Sequence, residues 1–231
     1  MLVLIATPIG HLSDISFRAV AALKTCDLIL CEDTRVSRTL LKAHDIQKPL
    51  LSCHAFNERK REAKVLEALR AGQTVALISD AGTPAICDPG ARLVQSCHEA
   101  GITVSVVPGP CALISALSLS GYIGEQFQFV GYLPKKSGAL KRKIEAMLSY
   151  PGASVAYETP HHLLPTLDFF SEMAPDSHLF LIKELTKMYE TYFQGPASDL
   201  ARILSQKTIK GEWVVVVLPD RHPKLTQGVK P

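Results

Sequence analysis

In the first half of this chain, short apolar runs recur at residues 2–5, 28–31, 75–78 and 104–107, with a weaker run at 50–53. Their length and their bounding turn formers make them read as strands. Between them the spacing predicts helices over 16–24 behind the capping candidates Ser13 and Asp14, over 36–43, over 58–71 behind Asn57, and over 92–100 before Gly101. Parallel neighbours need a crossover, which a helix supplies, so this alternation predicts an α/β domain with a mostly parallel sheet covered on both faces. In such a sheet, ligands bind beyond the carboxyl ends of the strands. The residues there are Thr7-Pro8-Ile9-Gly10, Glu32-Asp33-Thr34-Arg35, His54, Ser79-Asp80-Ala81-Gly82-Thr83-Pro84 and Pro108-Gly109-Pro110. That edge is the candidate binding site.

A helical stretch over 111–119 ends at Ser120-Gly121, and a second set of apolar runs begins at 127–132, 154–157, 179–182 and 213–218. The expected organisation is therefore an N-terminal α/β domain over residues 1–120 and a C-terminal α/β domain over 121–231, whose sheet is expected to be mixed. Helices are expected in the second domain over 139–148, 163–173 and 197–206. The tail from Pro219 combines proline, lysine and glycine without periodicity and reads as irregular. Tyr189 and Tyr192 read as packing residues rather than as platforms for a nucleotide base.

With 231 residues, 47% of them hydrophobic and 20% charged, the chain has ample material for a packed core. No apolar run approaches the roughly 20 residues that span a bilayer, and the first residues show neither a basic leader nor a cleavage site. A cytoplasmic location is expected. The six cysteines include no C-x-x-C pair, which fits reduced, mostly buried thiols better than a zinc or redox site. The adjacent His161 and His162 lack the spacing of metal ligands, and no metal is expected. A formal net charge of +3 is compatible with an RNA partner without requiring one.

Neither G-x-G-x-x-G nor G-x-x-x-x-G-K-[ST] occurs, which removes the usual dinucleotide and P-loop readings. The chain has instead tight loops in which glycine and proline let backbone amides approach a ligand. Any one of them also suits a plain structural turn.

Several segments carry a resemblance when taken in order. They are Ile5-Ala6-Thr7-Pro8-Ile9-Gly10, Cys31-Glu32-Asp33-Thr34-Arg35, Ser79-Asp80-Ala81-Gly82-Thr83-Pro84 with Asp88-Pro89-Gly90, Pro108-Gly109-Pro110-Cys111-Ala112, Tyr157-Glu158-Thr159-Pro160-His161, Glu184-Leu185-Thr186-Lys187 and Gly211-Glu212. From about Leu2 to Leu218 the chain resembles the ribosomal RNA small subunit methyltransferase I family. The resemblance implies a tetrapyrrole-methylase-like fold of two α/β domains with S-adenosyl-L-methionine in the interdomain cleft. It also implies 2′-O-methylation of a cytidine in the decoding region of 16S rRNA, within the 30S subunit, by a homodimer. His11 stands where the family usually has asparagine, and His162 where it has arginine. The family also commonly continues into a small helical C-terminal extension that has no counterpart here.

The resemblance assigns cofactor binding to Pro8, Gly10, Ser79, Asp80, Ala81, Gly82, Thr83, Pro108, Gly109, Cys111, Ala112 and Tyr157. Methyl transfer to oxygen needs alignment and removal of the hydroxyl proton, so a carboxylate, histidine or neutral lysine near the acceptor is sought. Glu158, Glu184 and Asp33 are the catalytic candidates, with Glu32, His54 and Lys187 also at strand ends. Asp33 is equally suited to a structural ion pair with Arg35, and Glu184 to a surface pair with Lys187. Arg35, Lys135, Lys136 and Arg142 are candidates for RNA phosphates, although the lysine-rich segment also reads as a solvated helix face. Two other functions share these residues: a tetrapyrrole methyltransferase, and a non-catalytic ligand-binding protein of ribosome assembly.

Overall fold

The computed structural model describes residues 1–219 and forms two compact units, the first spanning Met1–Cys111 and the second beginning at Ala112. In the first unit the strands are β1 (Leu2–Ile5), β2 (Leu28–Cys31), β3 (Leu50–Ser52), β4 (Val75–Leu77) and β5 (Val104–Val107). They alternate with α1 (Phe17–Thr25), α2 (Thr34–Ala43), α3 (Glu58–Arg70) and α4 (Ala91–Glu99). The five strands lie in the order β3-β2-β4-β1-β5, and every pairing is parallel.

Successive residues of each strand face opposite sides of this sheet, and both sides are covered. Val3, Ile5, Ile29, Cys31 and Ala76 pack with Ala19 and Leu23 of α1 and Leu41 of α2. Leu2, Leu30, Val75 and Leu77 pack on the other side with Val65 and Leu69 of α3 and Leu93 and Cys97 of α4. Burying one such side chain contributes about 1.5–3 kcal/mol, so unbroken apolar strands are what a two-sided sheet requires. The strand order sets the loops leaving β1, β4 and β5 beside one another at the carboxyl edge, with the loop after β2 next to that after β4.

The second unit contains α5 (Ala112–Leu119), β6 (Phe127–Tyr132), α6 (Ser137–Ser149), β7 (Ala153–Glu158), α7 (Leu163–Met173), β8 (His178–Lys183), β9 (Thr191–Pro196), α8 (Ala197–Ser205) and β10 (Trp213–Leu218). Its sheet runs β6-β7-β10-β8-β9, with β6 and β7 parallel and the other pairs antiparallel. One face carries the core: Ala156, Leu179, Leu181, Trp213, Val215 and Val217 meet Leu140 and Ile144 of α6, Leu167 and Phe170 of α7 and Leu200 and Leu204 of α8.

The division falls at Cys111 rather than near Gly121, because α5 packs against β7 and β10 and so belongs with the second sheet. β9 was not expected. It has no long apolar run, only two adjacent aromatics that pack on opposite faces of the sheet: Tyr192 stacks on Phe180 with centroids 5.5 Å apart, and Phe193 on Trp213 at 6.1 Å. Tyr192 packs as anticipated, whereas Tyr189 precedes the strand and is 71% exposed. Ser16, not Ser13 or Asp14, caps α1, accepting the Ala19 N–H at 3.1 Å, while Leu12–Asp14 form a short 3-10 turn. Cys26, Cys31, Cys53 and Cys97 are buried, Cys111 is half-buried and Cys87 is exposed. Among the described residues no helix is long and apolar enough to cross a membrane. The irregular tail expected after Pro219 lies outside the described residues.

Candidate active site

The loops at the carboxyl edge of the first sheet are tied to one another through backbone and hydroxyl groups. Thr7, buried just beyond β1, donates its N–H to Gly82 O at 2.9 Å and accepts the Gly82 N–H at 3.1 Å. Its hydroxyl donates to Ser79 O at 3.1 Å, and the Ser79 hydroxyl donates to Gly82 O at 3.2 Å. Thr83 Oγ1 donates to Pro110 O at 3.4 Å, which joins the third loop. Gly82 has φ +80°, and a Cβ there would lie 3.2 Å from Ile9 Cγ2, so glycine serves both the turn and the packing. Pro8, Ser79 and Gly82 are thus interior members of the assembly, whereas Gly10, Ala81, Pro108 and Gly109 are exposed. The exposed members present peptide groups that a ligand can reach.

Beside these loops lies a cavity of about 440 Å³ lined by Glu32, Asp33, Thr34, Ser52, His54, Phe56 and Asp80. Asp80 Oδ1 accepts the Asp33 N–H at 3.0 Å, linking the ends of β2 and β4. Asp33 caps α2 through the Arg35 N–H at 2.8 Å and holds the Arg35 guanidinium, with Nη2 to Oδ2 at 2.6 Å. The hydrogen bonds from the Arg35 side chain and backbone hold the Asp33 carboxyl at about 2, so it is a weak proton acceptor. The ion pair foreseen as one alternative is therefore present, and Arg35 is exposed. His54 and Asn57 fold on each other: Asn57 Oδ1 accepts the His54 N–H at 2.8 Å, and its amide reaches Ser52 O at 3.3 Å instead of capping α3.

Three carboxyls here are pushed up. Burial raises Glu32, with the Asp80 charge adding to it, and burial likewise raises Asp80. Asp88 moves furthest, to about 6, driven first by burial and then by the charges of Glu32 and Asp80, against a hydrogen bond from Ser79. Asp88 belongs to a loop with strained backbone: Ala85 (φ 66°) and Cys87 (φ 62°) are both left-handed without being glycine. The loop is pinned by Gly90, whose N–H donates to Glu58 Oε1 at 3.0 Å and whose Cβ, were there one, would stand 2.5 Å from Leu77 Cδ2. Among the described residues no group of three or more His, Cys, Asp or Glu side chains is placed to hold a metal ion.

In the second unit, Glu158 ends β7 and is buried, with Oε1 accepting the Thr159 N–H at 2.6 Å and Oε2 the Thr166 hydroxyl at 2.7 Å. Glu184 Oε1 accepts the Glu212 N–H at 2.9 Å and Lys187 Nζ at 3.0 Å; Lys187 also reaches Glu212 Oε2 at 2.9 Å. Burial would raise Glu184, but the hydrogen bonds from Glu212 and Lys187 outweigh it and leave the carboxyl below its ordinary range. A Gly211 Cβ would fall 2.5 Å from Glu184 Cγ, so these two strand ends are in close contact. Tyr157 lies on β7 between Phe129 and Tyr132, and Ala112 opens α5. Lys135, Lys136 and Arg142 are exposed around the start of α6.

The structure gathers Pro8, Gly10, Ser79 to Thr83, Pro108, Gly109 and Cys111 in the first unit, while Glu158 and Glu184 belong to separate hydrogen-bonded groups in the second. Sequence reading passed over Asp88 as a proton acceptor and Glu212 as the partner of Lys187. Asp88 carried a legible signal, an acid in a proline and glycine loop after a strand, but its raised value comes from burial first and then from the charges of Glu32 and Asp80, which the fold sets.

A parallel α/β unit with three interlocked glycine and proline loops is followed by a mixed-sheet unit, and residues 1–201 match the family described as Tetrapyrrole (Corrin/Porphyrin) Methylases; the chain is therefore a methyltransferase of the tetrapyrrole-methylase fold. The fold is also that of diphthine synthase (TM-score 0.74, 15% identity, 95% of this chain and 90% of that one) and of uroporphyrin-III-C-methyltransferase from Thermus thermophilus (TM-score 0.65, 19% identity, 94% and 93%). Within that class, the chain belongs to the ribosomal RNA small subunit methyltransferase I family. It is 40% identical to the member from Neisseria meningitidis serogroup B over 99% of this chain and 80% of the relative. It is 41% identical to the member from Thermotoga maritima over 94% of this chain and 97% of the relative.

Proposed function

We propose that the protein transfers the methyl group of S-adenosyl-L-methionine to the ribose 2′-hydroxyl of a cytidine in the decoding region of 16S rRNA, acting in the cytoplasm as a homodimer on the 30S subunit. The observation that carries this reading is identity near 40%, over almost the whole chain, to relatives named ribosomal RNA small subunit methyltransferase I.

The first unit's edge suits such a cofactor. Exposed peptide groups at Ala81, Pro108 and Gly109 can meet adenine and ribose, and the carboxylates of Asp80 and Glu32 complement a sulfonium and an ammonium. When bound, the cofactor supplies an electrophilic methyl group. The protein must align the acceptor hydroxyl and take its proton as the new O–C bond forms. Asp33, Glu158 and Glu184 are each held by hydrogen bonds from their own surroundings; Asp88 also accepts one, from Ser79, but burial and the charges of Glu32 and Asp80 outweigh it and push the carboxyl up to about 6, which gives it the greater affinity for that proton. We assign it the base.

The deciding experiment is transfer of labelled methyl to 30S subunits lacking this modification, with free 16S rRNA and a tetrapyrrole precursor as parallel substrates. Label mapped to the 2′-oxygen of a decoding-region cytidine is the expected result. Label on the tetrapyrrole alone would move the protein to the corrin and porphyrin branch of its fold, and cofactor binding with no transfer would leave an assembly factor.

Charge at the start of α6 makes a second expectation. Replacing Lys135, Lys136 and Arg142 together by alanine should raise KM for 30S subunits about 10-fold and flatten the salt dependence of RNA binding by about 2 in log–log slope, with cofactor affinity unchanged. An unaltered slope would return these residues to the role of a solvated helix face.

A further inference from the structure

We infer that the exposed ring of Tyr132 is a stacking surface for an unpaired nucleobase of the RNA, placed there by a bulge at Gly131; this rests on the RNA function proposed above. Strands β6 and β7 run parallel with Phe129 beside Val155, but the next pair is Tyr132 beside Tyr157. Three residues of β6 therefore advance against two of β7. Gly131, at φ +72°, is the residue whose missing side chain permits the extra step.

The bulge decides which way Tyr132 points. In a strictly alternating strand it would share the face of Val130, which packs into the core with Ala156. With one residue inserted, Tyr132 joins Phe129 on the opposite face, and both rings meet Tyr157 edge-on, at 5.5 Å and 4.9 Å. Leu133 then returns to the core at 6% exposure, while Tyr132 keeps 57% of its surface open. The half-buried Tyr157 ring, with its edge contact, holds the exposed ring in one orientation, so little side-chain entropy remains to be lost when a flat ligand stacks on it.

The surroundings select a polyanion as the occupant. Residues 126–144 contain Lys135, Lys136, Lys141, Arg142 and Lys143 and no acidic side chain. Lys135 follows Tyr132 by three residues, a reach of about 10 Å at most, so one strand of RNA can place a base on the ring and its neighbouring phosphates on the lysines. An aromatic face beside backbone-binding cations is the general arrangement for unpaired RNA, whose splayed bases stack on exposed rings.

The test compares Tyr132→Ala, Tyr132→Phe and Tyr132→Trp for binding to a short fluorescein-labelled single-stranded RNA, for KM toward 30S subunits, and for S-adenosyl-L-methionine affinity. Tyr132→Ala should weaken RNA binding and raise KM by about 5- to 100-fold, the range of one base stack. The phenylalanine and tryptophan variants should stay within about threefold of wild type, because stacking needs the ring and not the phenol. The salt slope should not change in any of the three, which separates stacking from phosphate contact. Wild-type RNA affinity in Tyr132→Ala, an equal loss in Tyr132→Phe, or a parallel loss of cofactor affinity would each overturn the assignment while leaving the methyltransferase reading intact. A wild-type protein that neither binds RNA nor methylates 30S subunits would overturn both. Impaired self-association of Tyr132→Ala with unchanged RNA affinity would give the surface to a second copy of the chain and overturn the stacking role.

Discussion

Replacing Asp88 by asparagine should lower kcat for methyl transfer by about 10²- to 10⁴-fold, the usual worth of a positioned general base, while making the protein more stable. Asparagine keeps the shape of the side chain and removes its proton affinity. Wild-type kcat should rise with pH through an apparent value near 6, where the half-buried Asp88 carboxyl ionises, and the variant should lose that limb. The measurement is single-turnover transfer to 30S subunits across pH 5 to 8, the window spanning that value. A kcat within about threefold of wild type would mean that the hydroxyl proton leaves to another acceptor, such as solvent.

The stability half of this prediction follows from linkage. The ordinary value of this carboxyl is 3.8, and folding raises it to about 6, so the folded protein binds the proton more tightly than the unfolded chain does. That contribution to stability is fully present below the unfolded value and is lost as pH rises through the folded one. Above it, the half-buried carboxylate weakens the fold, and Asp88→Asn should relieve about 1 to 2 kcal/mol after discounting for partial solvent screening. The gap between the two melting curves should therefore open with rising pH. A gap already present at low pH and constant thereafter would indicate altered packing instead.

The first unit was legible because its sheet is covered on both faces: strands such as Leu28–Cys31 are continuous apolar runs, and the crossovers between them are the helices. The loops at its carboxyl edge were legible for the same reason, since a parallel sheet fixes which strand ends meet a ligand. β9 escaped because this edge strand has only two adjacent aromatics, Tyr192 and Phe193, between polar residues, too short an apolar run to stand out. The boundary at Cys111 escaped because α5 follows the last strand of the first sheet in the chain but packs on the second. Carboxyl roles were the least legible. Asp33 spends its charge on a neighbour two residues away, while Asp88 takes its value first from burial and then from Glu32 and Asp80, all of which only the fold supplies.

Glu158 shows how far a side chain's surroundings outweigh its motif, and its removal should have the second large effect. Glu158→Ala should destabilise the protein by about 2 to 4 kcal/mol, because it leaves the fully buried Thr166 hydroxyl and the half-buried Thr159 N–H without their acceptors. The Thr166 hydroxyl is fully buried at the first turn of α7, and the Thr159 N–H precedes that helix; each has one of the carboxylate oxygens as its acceptor. A carboxylate at this position also complements the positive end of α7. Glu158→Gln preserves the volume and the acceptor for the Thr159 N–H, and its amide N–H can donate to the Thr166 hydroxyl, which accepts as well as donates, so most of the loss should be recovered. In both variants kcat measured well below the melting transition should stay within a few-fold of wild type, since the carboxylate is spent on the framework that carries Tyr157. A hundredfold fall in kcat with an unshifted melting temperature would reverse that conclusion: the oxygens would then have to leave Thr159 and Thr166 during turnover, and the buried pair seen here would be the resting position of a group that acts on the substrate.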